Sequence, residues 1–170
     1  MFAASSMIQC WAEAPRPGEP VGGLQVTLTT AQIAVHRFES LVTELVLENV
    51  SPGSLSVYRY IGTIMSTPGY VRYHLVNLSS GQEVVLLQGI DQHPPPSSDD
   101  YVRLAPGEKS SRTFVLDQVL LDWPRDSRLK PGRYALKLEV VISEEGRWAG
   151  VTDAWSGTVW TNPITFEFRP

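Results

Sequence analysis

The feature that most constrains the fold is a stretch in the last third of the chain with a large apolar side chain at every second position. Residues 134–142 read YALKLEVVI, so one parity is shared by Tyr134, Leu136, Leu138, Val140 and Ile142. A period of two places these side chains on one face of a β-strand, whereas a helix would spread them around its circumference. The apolar face must pack against a second layer, so the sequence predicts a layered β fold.

Shorter segments with strand character recur along the rest of the chain. They are separated by turn sequences, and they cover residues 24–30, 41–50, 55–60, 70–78, 83–88, 110–116 and 158–168. Gly and Pro, with 13 of each, are spread along the sequence, which favours short elements and disfavours long helices. The turn at Ser79, Ser80 and Gly81 predicts a hairpin between two of these segments.

The segment at residues 41–50 admits two interpretations. Its leucines occupy one parity and its valines the other, as in a strand, whereas Glu44 and Glu48 are four positions apart, as on a helix face. The valine content and the following NVSPG turn favour the strand. No helix longer than a turn or two is indicated elsewhere. The sequence therefore predicts an all-β, two-sheet antiparallel sandwich of about eight strands.

The domain organisation follows from the length and from the composition of the N-terminal region. The chain has 170 residues, which suits one domain, and residues 15–23 (PRPGEPVGG) have the composition of a linker. We therefore expect a flexible tail and linker at residues 1–23 and one β domain at residues 24–170. Ala12, Glu13 and Ala14 match the pattern of an export cleavage site, but no positively charged region precedes them. Both a cytoplasmic and an exported location stay open.

The composition excludes several classes of protein. With 14 Lys+Arg against 18 Asp+Glu, the net charge of -4 argues against a basic nucleic-acid-binding protein. A hydrophobic fraction of 42% is too high for a disordered chain, and no apolar run approaches the ~18 residues of a membrane span. The single cysteine, Cys10, excludes an intramolecular disulfide.

Residues 129–136 (LKPGRYAL) resemble the corner before a late strand in immunoglobulin-like and fibronectin-like domains. Residues 41–53, a strand followed by a turn, resemble an early strand of bacterial immunoglobulin-like domains, and the likeness extends from Leu24 to Phe168. It implies an immunoglobulin-like sandwich in which the Tyr134 side chain bonds a nearby backbone group. The cysteine pair and the core tryptophan of antibody domains are absent from the sequence.

A second resemblance is to the intracellular proteinase inhibitors of the Bacillus type. It rests on the order of an NVSPG turn at residues 49–53, a hairpin at residues 70–88, a PG turn at Pro106 and a final LKPGRY at residues 129–134. This likeness implies proteinase inhibition as an alternative function. No inhibitory-loop residue matches, so none is carried over.

Catalytic chemistry is not indicated by the sequence. The histidines His36, His74 and His93 are not associated with a G-x-S-x-G nucleophile motif, which is absent, and Cys10 lies in the predicted tail. We therefore expect a protein that is not an enzyme, with no catalytic residues.

A cofactor or metal is not indicated either. Asp91, His93, Asp99 and Asp100 lie in one predicted loop, but their spacing matches neither an EF-hand nor a zinc motif. Phosphate-binding glycine motifs are absent from the sequence. We expect no cofactor and no assigned metal ligands, and calcium binding in this loop is left open.

Two loops are the candidate binding surfaces. Residues 146–157 contain Trp148 and Trp155 among glycines, and residues 88–101 contain the run His93, Pro94, Pro95 and Pro96. Loop tryptophans either contact a partner or fold back to cap the sandwich, and the prolines reduce the entropy lost on binding. We therefore predict a non-catalytic binding module whose partner is a protein, or a second copy paired through an edge strand.

Two aromatic interpretations accompany this prediction. Carbohydrate binding is the alternative function, and it requires the rings of Trp148 and Trp155 to be exposed and coplanar as a stacking platform. Trp160, by contrast, shares the parity of Ile164 and Phe166, which predicts that its ring lies in the core.

Overall fold

The computed structural model describes residues 18–36, 40–61, 69–87, 95–116 and 129–169. Eleven strands lie within these residues: β1 (Leu24–Thr29), β2 (Ala34–His36), β3 (Val42–Asn49), β4 (Leu55–Tyr58), β5 (Gly69–Asn77), β6 (Glu83–Leu87), β7 (Tyr101–Leu104), β8 (Lys109–Val115), β9 (Gly132–Ile142), β10 (Gly157–Trp160) and β11 (Ile164–Arg169). Short 3-10 turns lie at Ser98–Asp100 and Glu144–Arg147. The all-β prediction is confirmed, and the expected number of about eight strands is too low.

The strands form two larger sheets and one ribbon. The small sheet has the order β1-β3-β8, and the large sheet has the order β2-β11-β9-β5-β6, with β10 also paired to β9. The β4–β7 ribbon is a separate two-stranded sheet. All pairs are antiparallel except β2 with β11, which run parallel, so the antiparallel prediction holds for all pairs but one.

Strand β9 runs through the middle of the large sheet and carries the predicted alternation. The inward parity from Tyr134 to Ile142 is buried at every position, as the sequence predicts. These side chains join one apolar core with inward residues of the small sheet and the ribbon, including Leu45 and Val57. Burying one such side chain contributes about 1.5–3 kcal/mol. The fold is therefore a β-sandwich with a shared core.

The segment at residues 41–50 is a strand, so its helical interpretation is wrong. Leu45 and Leu47 are buried, whereas Val42 and Val50 are exposed, so the leucine parity faces the core. The predicted hairpin is also confirmed, because β5 and β6 pair antiparallel across the turn. Asn77 holds this turn, since its side-chain oxygen accepts hydrogen bonds from the backbone N–H groups of Ser79 and Ser80, both at 3.0 Å.

The C-terminal segment differs from the prediction because it is two strands. β10 pairs with the end of β9 and β11 with its beginning, and residues 161–163 form the break between them. Asn162 is buried at this break. Two short strands, β2 and β7, were not among the predicted segments; they have three and four residues, too few to show a clear alternation.

The corner before β9 is closed by a tyrosine. The Tyr134 hydroxyl donates a hydrogen bond to the Lys130 carbonyl oxygen at 2.7 Å and accepts one from the Lys130 N–H at 2.9 Å. This confirms the predicted bond between the Tyr134 side chain and a nearby backbone group. The corner fixes where the chain enters the central strand of the large sheet.

The chain before β1 is paired with the domain from Gly18 onward. The Gly18 N–H donates to the Val26 carbonyl oxygen at 3.3 Å, and Val21 and Leu24 exchange backbone hydrogen bonds at 2.9 and 3.0 Å. Residues 1–17 of the predicted tail, with Cys10, lie outside the described residues. The described residues include no helix with the length and apolarity needed to cross a membrane.

Candidate functional site

The connection from β9 to β10 is an ordered loop at residues 143–156. It begins with the 3-10 turn Glu144–Arg147, after which the N–H of Gly150 donates to the Arg147 carbonyl oxygen at 3.1 Å. The Val151 N–H donates to the Gly146 carbonyl oxygen at 2.9 Å. The backbone of this loop is thus held by its own hydrogen bonds.

The same loop is fastened to strand β4. The Ser56 N–H donates to the Asp153 carbonyl oxygen at 3.0 Å, and the Trp155 N–H donates to the Ser56 carbonyl oxygen at 2.8 Å. The Ser56 hydroxyl also donates to the Asp153 carboxylate at 2.8 Å, while Arg103 of β7 lies 3.5 Å from that carboxylate. These bonds join the loop at residues 143–156 to the β4–β7 ribbon.

The two loop tryptophans have opposite environments. Trp155 is 4% exposed, and its ring N–H donates to the Val21 carbonyl oxygen at 2.8 Å, so it covers the core. Trp148 is 86% exposed. The stacking platform expected for carbohydrate needs both rings in solvent, and this expectation is wrong for Trp155. Trp155 is the capping residue, and Trp148 is the surface residue.

The proline-rich loop is described only in part. His93 and Pro94 lie outside the described residues, as does Asp91, whereas Pro95 is exposed and Pro96 is half-buried. The Asp100 carboxylate accepts hydrogen bonds from the Ser97 N–H at 2.8 Å and from the Ser97 hydroxyl at 3.1 Å. Within the described ranges there is no group of three or more His, Cys, Asp or Glu that could hold a metal ion.

The outward face of the large sheet carries a polar cluster that the sequence analysis missed. His74 of β5 lies between two carboxylates: its Nδ1 is 2.7 Å from the Glu83 Oε1, and its Nε2 is 3.6 Å from the Glu139 Oε2. Arg72 donates to the same Glu139 carboxylate at 2.8 Å, and this hydrogen bond raises the pKa of Arg72. The cluster joins strands β6, β5 and β9 across one face.

Trp160 belongs to this outward face, so its predicted position in the core is wrong. Its ring centroid is 4.9 Å from that of His74, and the Lys137 Nζ lies 4.5 Å from it. A shallow groove of about 350 Å³ runs beside the ring and is bordered by Lys137, Asn162 and Pro163. The break at residues 161–163 explains the error, because it resets the alternation between β10 and β11. Pro163 is the sequence signal for this break, because proline cannot donate a hydrogen bond within a β-ladder.

The other predicted residues are not brought into one site. His36 ends β2 beside Arg169 of β11, on the far side of β9 from His74. In the part of the chain that the structure describes, the His74 contacts are carboxylates and an aromatic ring, with no hydroxyl or thiol bonded to the imidazole. The contacts given for the outward cluster, among the residues that the structure describes, include no residue of the loop that carries Trp148.

Comparison with known proteins assigns this chain to no family. No protein-family model matches the chain, and no curated protein matches it. Solved structures with similar parts include an alkylpurine DNA glycosylase, AlkC, of Pseudomonas fluorescens bound to DNA containing an abasic site analog. The identity is 14% and the TM-score 0.45, over 87% of this chain and 31% of that chain.

Two further structures are similar at the same level. A β-glucosidase from Listeria innocua in complex with glucose is 14% identical with a TM-score of 0.40, over 86% of this chain and 16% of that chain. Target SoR45 of the Northeast Structural Genomics Consortium is 11% identical with a TM-score of 0.41, over 89% of this chain and 91% of that chain. The chain spans less than a third of the glycosylase and of the glucosidase. TM-scores this low carry no functional argument, and no immunoglobulin-like or proteinase-inhibitor family is indicated.

Proposed function

We propose that this chain is a non-catalytic, immunoglobulin-like module that binds a protein partner through the loop at residues 143–156. The observation that carries the proposal is the exposure of Trp148, 86%, on a loop whose backbone is bonded both to itself and to strand β4. The next tryptophan in the same loop, Trp155, is buried and hydrogen-bonded. The loop therefore holds one indole in the protein and one in solvent.

An exposed indole on a fixed loop has the properties of an interface anchor. Tryptophan presents a large, amphipathic surface with few rotatable bonds, and it is enriched among the residues that dominate protein–protein binding energy. A loop that is already ordered loses little conformational entropy when a partner binds. Trp148 thus supplies apolar area for a partner to bury. The hydrogen bonds of Gly146, Ser56 and Asp153 order the loop beforehand, which reduces the conformational entropy lost on binding.

The strand arrangement supports the immunoglobulin-like part of the proposal. β1 lies in the small sheet, whereas β2, the next strand, crosses to the large sheet and runs parallel to the last strand, β11. The tyrosine corner leads into β9, because Tyr134 of that strand bonds back to Lys130. β9 is the partner of both β5 and β11. In sandwiches of this kind the loops at the ends carry recognition, and residues 143–156 form such a loop.

The test is affinity enrichment from the source cells with three forms of the protein. Wild type, Trp148→Ala and Ile33→Ala are immobilised, and bound proteins are quantified by mass spectrometry. Ile33 is the matched control because it is an apolar residue 85% exposed near the opposite end of β9, beside Glu167. A partner that uses the loop is retained by wild type and by Ile33→Ala and is depleted at least tenfold by Trp148→Ala.

The enriched protein is then purified and its dissociation constant is measured against the same three forms. Loss of an anchor tryptophan costs about 2 kcal/mol or more, which is about a 30-fold weaker Kd. If every enriched protein binds Trp148→Ala as tightly as wild type, the loop is not the binding surface and the proposal is rejected.

A further inference from the structure

Arg112 occupies a position in the small sheet where an apolar residue is expected. It pairs in register with Leu45 of β3, and Leu45 is buried in the core. Paired residues on neighbouring strands point to the same face, so the Arg112 side chain starts from the inward face of the sheet. It is half-buried, and its guanidinium lies over the Tyr60 ring at 5.6 Å from the centroid.

A second arginine, Arg59, directly precedes the Tyr60 whose ring Arg112 contacts. It follows β4 directly, and its N–H donates to the Asp100 carbonyl oxygen at 2.8 Å, which fixes its backbone beside the ribbon. The Arg59 Nε is fully buried and has no hydrogen-bond partner among the described residues. Repulsion from Arg59 contributes to lowering the pKa of Arg112, after the larger effect of burial, so the two positive charges interact.

No carboxylate among the described residues lies within ion-pair distance of either guanidinium. The Asp100 carboxylate is bonded to Ser97. On β3, Glu44 and Glu48 have the parity opposite to Leu45 and face away, and Glu48 pairs with Lys109 at 3.0 Å. Two half-buried arginines, one on each side of the Tyr60 contact, are therefore left without a counter-ion from the described ranges. Such an arrangement is costly unless an anion completes it.

We propose that Arg59 and Arg112 form a binding site for an oxyanion, a carboxylate or a phosphoryl group, at the junction of the small sheet and the β4–β7 ribbon. Guanidinium groups match both ligands, because their N–H donors fit two oxygen atoms of a planar carboxylate or of a phosphate. The contact of Arg112 with the Tyr60 ring holds the second guanidinium in position. Neither arginine lies in the loop at residues 143–156 that carries Trp148.

The experiment measures anion binding to the whole chain. Thermal unfolding and titration calorimetry are carried out with inorganic phosphate and, in parallel, with malonate, each against chloride at equal ionic strength. A ligand that binds only the folded protein raises its unfolding temperature by mass action. We expect phosphate, malonate or both to raise the Tm of wild type more than chloride does. The more effective anion identifies the phosphoryl or the carboxylate chemistry.

The variants Arg59→Gln and Arg112→Gln each remove one donor and one charge. We expect the apparent Kd for the effective anion to rise at least tenfold in each. Arg133→Gln is the matched control, because Arg133 is exposed on β9 and takes no part in the pair, and it keeps the wild-type response.

A second measurement separates the site from a structural role of Arg112. In chloride alone, Arg112→Gln is expected to be as stable as wild type or more stable, since it removes a charge that lacks a counter-ion in the described part of the chain. Absence of any anion-specific shift in wild type would overturn the proposal, as would a wild-type response in Arg112→Gln. A loss of stability of Arg112→Gln in chloride that exceeds the small loss expected from its contact with the Tyr60 ring would also overturn it, because the charge would then be neutralised within the chain.

Discussion

At the scale of single residues, buried asparagines join parts of the backbone that no strand pairing connects. Asn162 is the clearest case: its side-chain oxygen accepts from the Leu28 N–H at 2.8 Å, and its Nδ2 donates to the Leu28 carbonyl oxygen at 2.8 Å. It thereby pairs with β1 as a strand residue would, although it lies at the break between β10 and β11. Asn49 similarly donates to the carbonyl oxygens of Gly53 and Leu104.

The substitution Asn162→Asp tests this bridge. The carboxylate keeps the hydrogen bond from the Leu28 N–H. The Leu28 carbonyl oxygen loses its donor and faces a buried, negatively charged oxygen instead. We expect a loss of about 2–4 kcal/mol in the free energy of unfolding, measured by urea denaturation at neutral pH. Gln82→Glu is the control, because Gln82 is exposed in the β5–β6 turn and the same chemical change there costs less than about 0.5 kcal/mol. Equal stabilities of the two variants would contradict the bridge.

The Tyr134 corner gives a second prediction at this scale. Tyr134→Phe removes the hydroxyl that both donates to and accepts from Lys130 and leaves the ring against Phe166 at 6.1 Å between centroids. We expect the free energy of unfolding to fall by about 1–2 kcal/mol with an unchanged urea m-value. Tyr70→Phe, which loses one partly exposed bond to Arg72, is expected to cost less. If Tyr134→Phe and Tyr70→Phe lower the free energy of unfolding equally, the two hydrogen bonds of the Tyr134 corner add nothing beyond those of a partly exposed tyrosine.

At the scale of elements, the sequence is informative where one face is buried along a whole strand. The alternation of β9 is predicted correctly because each inward side chain from Tyr134 to Ile142 meets the same core. The same rule fails for Trp160, because residues 161–163 leave the ladder and shift the parity of β11 relative to β10. Prediction from a period of two assumes an unbroken strand. The strand is interrupted at Asn162 and Pro163, so the prediction fails for the residues before them.

The candidate site is less predictable than the strands. Trp148 and Trp155 lie in one glycine-containing loop, and the sequence offers both a capping and a contact interpretation for each ring. What separates them is a bond across the fold, from the Trp155 ring N–H to the Val21 carbonyl oxygen. Such a partner is distant in sequence, so local composition does not reveal it. The interaction between Arg59 and Arg112 is not predictable from the sequence for the same reason, because the two residues are far apart along the chain.

Gly146 is the element-scale test of the loop. A Cβ at this position would lie 2.3 Å from the Ala154 Cβ and 3.1 Å from the Tyr101 hydroxyl, so the loop closes only around a glycine. We expect Gly146→Ala to lower the free energy of unfolding by about 1–3 kcal/mol, measured by urea denaturation. A Cβ at Gly53 meets nothing within 4 Å, so Gly53→Ala is the control and stays within about 1 kcal/mol of wild type. An unchanged free energy of unfolding in Gly146→Ala would mean that the loop accommodates the added methyl group without loss of stability.

At the scale of the whole molecule, the shared core makes stability depend on pH through Tyr73. Burial raises the pKa of the Tyr73 phenol well above its usual range. In the unfolded chain the phenol loses its proton near pH 10, so above that pH the unfolded state binds fewer protons than the native state. The contribution is therefore fully present below about pH 10 and is lost as the pH rises further.

We expect the free energy of unfolding of wild type to fall more steeply between about pH 9 and pH 11 than that of Tyr73→Phe. The difference in slope approaches about 1.4 kcal/mol per pH unit at the alkaline end. Val71→Ala is the control: Val71 is also buried in β5, so its loss destabilises the core but removes no titrating group, and the wild-type slope remains. Parallel curves for wild type and Tyr73→Phe would show that Tyr73 ionises without unfolding.

The parallel pairing of β2 with β11 has a mechanical consequence. Their register joins Ala34 with Glu167, Val35 with Phe168 and His36 with Arg169. When tension is applied between the chain before β2 and the chain after β11, the two strands are pulled past each other along their length. The bonds between them then share the load together and do not open one after another, so the domain resists stretching until they break at once. Its lifetime under force is set by the rate of that rupture.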